Sequence, residues 1–155
     1  MALLVQKYGG TSMGSVERIE HVASKVAAAR ARGDQVVVVV SAMSGETDRL
    51  IKLAKAIDPR PASRELDQMI ATGEQVTIAM LAIARERMGV RARSYTGGQV
   101  AIRTDKAYNK ARIKHSETER LLADCNAGIV PVVAGFQGID DDGNITTLGR
   151  GGSDT

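Results

Sequence analysis

Five consecutive valines at positions 36–40, with no polar residue among them, predict a parallel strand over 35–41 that is covered on both faces. Shorter apolar runs predict strands at 2–6, 90–95 and 129–136, with "VAIR" (100–103) as a brief edge strand. Between them, apolar residues recur at helical spacing. The pattern predicts an amphipathic helix over 15–32, capped by Ser15 and closed by Gly33. It also predicts a short helix near 47–57, a long one from about 64 to 88, and a last one near 116–127 closed by Gly128. Gly73 interrupts the long helix, where glycine costs about 1 kcal/mol relative to alanine and so needs a reason. Pro131 falls inside a buried strand and must stand where no N–H is required. "DDDGN" (140–144) predicts a hairpin turn between short strands. Strand and helix in alternation give an α/β fold: a three-layer αβα sandwich around a mostly parallel open sheet, with right-handed crossovers.

Composition narrows what such a domain could do. At 155 residues the chain can enclose one real core. It is 43% hydrophobic but only 3% aromatic, so Val, Ile, Leu, Ala and Met must build that core. The net charge of +3 is spread among interleaved acids and bases, and few aromatics are present to stack on bases, which argues against a nucleic-acid partner. Cys125 is the only cysteine; no intramolecular disulfide can form, and a reducing cytoplasm fits. It sits at a helix-packing position with no base nearby, so a catalytic thiol is not expected. The start has no basic region ahead of its apolar run, and no stretch is long and apolar enough for a bilayer. A soluble protein without a leader is therefore expected. His21 and His115 are isolated, and no metal-ligand spacing stands out.

Four glycine-bearing loops share one character: "KYGGTS" (7–12), "SAMSGETD" (41–48), "AGFQG" (134–138) and "GRGGSDT" (149–155). In an open α/β sheet, loops of this kind collect at the carboxyl ends of the strands, where ligands bind. Gly9 and Gly10 let the backbone approach an anion, Thr11 and Ser12 add hydroxyls, and Lys7 adds a point charge. Turn chemistry alone also enriches such loops in Gly and Ser. Neither G-x-x-x-x-G-K-[ST] nor G-x-G-x-x-G is present. At the presumed site Lys7 and Arg150 are the cations, and Glu74, which follows the mid-helix Gly73 in "ATGEQVT", and Asp154 are the acids. A small zwitterion needs one acid for its ammonium and an arginine fork for its carboxylate, which leaves Lys7 for a transferring phosphoryl group.

Taken together, "VQKYGGTSMGS", "VVVVVSAMSGETDRL", "ATGEQVT" and "VVAGFQGIDDDGNITTLGRGGSDT" resemble, in order, the signature segments of the aspartate kinases of the amino acid kinase family. The resemblance runs from residue 3 to residue 155. It implies transfer of a phosphoryl group from ATP, escorted by Mg2+, to the β-carboxylate of L-aspartate, the first step toward lysine, threonine and methionine. By the same resemblance, Lys7, Tyr8, Gly9, Gly10 and Ser12 bind the ATP phosphates, and Lys7 and Asp154 are catalytic. Ser41, Thr47, Glu74, Arg150, Gly151, Gly152 and Ser153 bind aspartate. The family continues beyond the length seen here, so the expectation is a truncated, N-terminal part of a kinase domain over 1–155, without the nucleotide-base half or the regulatory ACT domains. An uncovered sheet edge would favour a homo-oligomer. The alternative is a catalytically incomplete fragment that only binds an amino acid, a phosphate or a partner.

Overall fold

The structure is a computed structural model that describes residues 2–115 and 117–148. The predicted residues Arg150, Gly151, Gly152, Ser153 and Asp154 lie outside the described residues.

The valine run forms β2 (Gln35–Val40), parallel to β1 (Leu3–Tyr8) on one side and to β6 (Val130–Ala134) on the other. With β3 (Ala92–Tyr95) the sheet order is β1-β2-β6-β3, all parallel. Both faces of β2 are covered. Val36, Val38 and Val40 enter a core with Ile19, Val22 and Val26 of α1 (Val16–Ala31) and Ile78 and Leu81 of α4 (Thr72–Arg87). On the other face, Val37 joins Tyr95, Val133 and Cys125, the last from α5 (Glu119–Asn126). This is the three-layer arrangement that an unbroken apolar strand requires. Ser15 caps α1, its Oγ accepting from the Arg18 N–H at 3.2 Å.

Pro131 is tolerated in a central strand because of where its ring faces. The Val130 N–H donates to the Arg91 carbonyl beside β3, and the Gly135 N–H donates to Val40 on β2. Odd positions therefore face β2, and Pro131 precedes Val132, the first residue registered with that strand.

Four differences from the sequence reading have local causes. β1 runs on to Tyr8, so Lys7 is still in the strand, opposite Val39. The long helix is two helices, α3 (Ser63–Ile70) and α4, with Ala71 between them. Residues 100–103 are mostly turn: Ala101 takes φ +49°, the Ile102 N–H returns to Gly97, and strand begins only at β4 (Arg103–Thr104). Finally, β5 (Ile113–His115), β4, β7 (Gln137–Ile139) and β8 (Ile145–Thr147) make a second, mixed sheet in the order β5-β4-β7-β8. The β7–β8 hairpin turns at 140–144, as its sequence predicts.

The second sheet is tied to α3 by one carboxylate. Asp67 is fully buried and accepts from the Thr147 N–H (2.8 Å), the Thr147 hydroxyl (2.8 Å) and the Asn109 N–H (3.1 Å). Burial still pushes its carboxyl above the ordinary value, against those three donors. No helix among the described residues is long and apolar enough to cross a membrane.

Candidate active site

Residues after β1, β2 and β6 line one cavity at the carboxyl edge of the parallel sheet, and Ala42, after β2, stands against Gly10 and Gly73. The Ser44 N–H donates to the Gly10 carbonyl at 3.1 Å, stitching two of the loops together. A Cβ on Gly10 would stand 3.1 Å from the Ala42 carbonyl, and one on Gly73 would lie 2.8 Å from the Ala42 Cβ. Gly73 therefore serves close approach of α4 to the β2 loop. Gly73→Ala is accordingly expected to destabilise the fold by about 1–3 kcal/mol through overpacking, reversing the gain of about 1 kcal/mol that helix propensity alone would bring. Urea denaturation measures it, and a net stabilisation would show that the loop gives way freely.

Between these loops lies a cavity of about 270 Å3, lined among others by Gly10, Ser41, Ser44, Thr47, Glu74 and Phe136. It is below the roughly 300–1,000 Å3 of sites for drug-sized ligands, so its scale is that of a small solute. The first turns of α2 (Glu46–Ile57) and α4 both open onto it, through Thr47 and Glu74. The dipoles of these two helix starts favour negative charge there. Glu74 is only 2% exposed, and burial pushes its carboxyl up to about 8, against the pull of its own backbone N–H and the Gln137 side chain. An acid so placed is half ready to be neutral, and an ammonium group would return it to the ionised form. Asp48, exposed on α2, is the other acid of the lining.

Ser41, Thr47 and Glu74, three candidates named from sequence, thus share one cavity with Gly10. Gly9 lies on the turn beside it, and a Cβ there would meet nothing within 4 Å, so its backbone is open to a solute. Lys7 is exposed on β1 and is not among the lining residues. Tyr8 and Ser12 are placed elsewhere: with Arg18, His21 and Lys25 of α1 they line a separate cavity of about 210 Å3. The Tyr8 hydroxyl donates to Gln6 at 3.1 Å, and burial raises its pKa. Sequence reasoning missed Asp48 and Phe136 as lining residues. Phe136 has φ +68°, a left-handed backbone that a bulky residue adopts under strain. Its place as the sole Phe of the chain, between Gly135 and Gln137, was the available signal.

A larger groove, about 440 Å3, lies between α1 and α4 and is lined mainly by Val16, Ile19, Met80, Ile83 and Ala84. Its walls are mainly apolar, with Glu20 and Arg87 among them.

Comparison with known proteins agrees with this geometry. The model of the amino acid kinase family matches residues 2–155. An aspartate kinase of Stutzerimonas stutzeri and an aspartokinase of Pseudomonas aeruginosa are each 65% identical over the whole chain, which spans 38% of their length. The crystal structure of aspartate kinase from Synechocystis superposes with TM-score 0.81 at 45% identity, over 99% of this chain and 25% of that one. Escherichia coli aspartokinase III, solved with aspartate and ADP, superposes with TM-score 0.84 at 22% identity over 99% of this chain and 45% of that one, a likeness of fold. The parallel sheet, the loops gathered at its carboxyl edge and the match over essentially every residue lead to one conclusion: this chain belongs to the amino acid kinase family.

Proposed function

We propose that the chain is the amino-acid-binding, N-terminal part of an ATP-dependent aspartate kinase, acting in the cytoplasm. The observation that carries the reading is Glu74, a buried carboxylate on a small cavity whose countercharge an α-ammonium group would supply. The resemblance to aspartate kinases at 65% identity supports aspartate as the amino acid.

In this reading, a β-carboxylate oxygen of L-aspartate attacks the γ-phosphorus of ATP, the bond to the bridging oxygen breaks, and ADP leaves with that electron pair. The attacking carboxylate is already ionised at neutral pH, so no general base is needed. Catalysis is positioning and charge stabilisation. Glu74 holds the ammonium, and Ser41 and Thr47 contribute hydroxyls. Arg150, with Gly151, Gly152 and Ser153, takes the α-carboxylate. Lys7, Gly9 and Gly10 serve the phosphates, and Asp154 orders the phosphate end. The open backbone at Gly9 fits a phosphate approaching the end of β1. Among the described residues, no group of three or more His, Cys, Asp or Glu could cage a metal. Mg2+ would then be held through the phosphates, its usual mode in such reactions.

The test is a thermal melt with L-aspartate and with L-glutamate as control. Aspartate at 100 times its Kd adds about 2.7 kcal/mol, a rise of roughly 5–10 °C for a domain of this size. The same titration carries a pH signature. Ammonium binding requires ionised Glu74, whose pKa is about 8, so affinity should be about 50-fold higher at pH 8 than at pH 6. Equal shifts with glutamate, or none at either pH, would reject the reading. Selective binding with no phosphoryl transfer from ATP would favour the binding module over the enzyme.

A further inference from the structure

The Gln137 side chain joins the second sheet, the α3–α4 junction and the candidate ammonium site. It is 2% exposed at the start of β7. An amide side chain offers one carbonyl oxygen and two N–H bonds, and here all have partners. The Gly97 N–H donates to Oε1 at 3.2 Å. Nε2 donates to the Ala71 carbonyl at 3.0 Å and to Glu74 Oε2 at 3.4 Å.

These partners fix which way the amide faces. Gly97 offers only a donor and Ala71 only an acceptor, so a flipped amide would set donor against donor and acceptor against acceptor. The second N–H of Nε2 is therefore obliged to face Glu74. Ala71 is the residue that separates α3 from α4, and its carbonyl is the one Gln137 holds.

We propose that Gln137 is a positioning residue for amino-acid recognition: it pins the α3–α4 junction and points one N–H at Glu74, aiming that carboxylate into the cavity and favouring its ionised form. This rests on Glu74 as the ammonium site, and it adds a residue whose own side chain need not touch the substrate. Other charges near Glu74 leave this role to Gln137. Asp48 is an acid, and Glu46, packed near Gly73, is already paired with Arg49 at 2.6 Å on the exposed face of α2. Asp67, on α3, is engaged with Thr147 and Asn109. Lys7, on β1, is exposed and outside the cavity lining.

Two variants separate the roles. Gln137→Met keeps the volume and removes every polar contact. Gln137→Glu keeps an acceptor for Gly97 but cannot donate to Ala71 and Glu74 together. The direct readout is the Glu74 carboxyl 13C shift, followed through a pH titration of the unliganded protein, beside L-aspartate affinity at pH 7 and pH 9. In both variants Glu74 should titrate about one pH unit higher than in the wild type, with affinity falling about tenfold at pH 7 and recovering at pH 9. A lower melting temperature with the Glu74 titration unmoved would make Gln137 a structural stitch and overturn the proposal. A raised Glu74 titration in a protein that binds no aspartate at any pH would support Gln137 as the residue governing Glu74, while rejecting Glu74 as the ammonium site.

Discussion

In the Glu74→Gln protein, L-aspartate affinity is expected to fall about a hundredfold at pH 8, while the unliganded protein melts several degrees higher. Both results come from one charge. Removing one member of a buried charged pair typically loses 2–5 kcal/mol of binding, and roughly 2.8 kcal/mol is a hundredfold. The stability gain follows from linkage. Burial raises the Glu74 carboxyl from 4.5 to about 8, so the folded state holds the proton more tightly than the unfolded chain. Stability then declines as pH rises from 4.5 toward 8, and the full penalty of a buried carboxylate is present above 8. Glutamine keeps an oxygen for the Gln137 N–H and carries no charge. The gain should be near zero at pH 4 and about 2–4 kcal/mol at pH 9, roughly 5–10 °C or more in melting temperature. Melting curves at those two pH values measure it, and a variant less stable than wild type at pH 9 would refute the account of Glu74 as a destabilising buried acid.

Asp67→Ala should be the most damaging single change among the described residues outside the cavity, lowering stability by about 3–5 kcal/mol. Truncation strands the Thr147 N–H, the Thr147 hydroxyl and the Asn109 N–H at a fully buried position. Asp67→Asn should lose much less, because its oxygen can accept from both N–H groups while its NH2 donates to the Thr147 hydroxyl, which turns to accept. The harm would spread, since β8 pairs with β7 and β7 carries Gln137. Guanidinium denaturation of both variants gives the numbers. A loss below 1 kcal/mol in the alanine variant would mean that water reaches these donors when the carboxylate is gone.

The parallel sheet was legible because its signal is local: an unbroken valine run can only be satisfied by cover on both faces, and the helices on either side show their periodicity. Ser15 was legible for the same reason. The second sheet was not, since its strands are two or three residues long and too short to establish a period. The break at Ala71 was hidden because apolar spacing runs through it unchanged; its carbonyl is held by a residue from a different sheet. At the cavity, Ser41 and Thr47 could be picked out as hydroxyls in a Gly-bearing loop, and Glu74 as an acid directly after the mid-helix Gly73. Phe136 and Asp48 could not, because their places depend on how β6 and α2 meet. Gly73 was visible as an anomaly, and only the approach of Ala42 explains it.

The strand order also sets when this domain can first become itself during synthesis. β2 and β3 do not touch each other through their backbones; each is bound through β6, which inserts between them, with Val38 beside Val132 and Ala92 beside Val130. A growing chain that has not yet released β6 holds the β1–β2 pair with a bare valine edge and a β3 strand with no partner. Closing so long a span is entropically slow. Residues 1–129 must therefore wait, with the valine strand uncovered, for β6 to zip this sheet together.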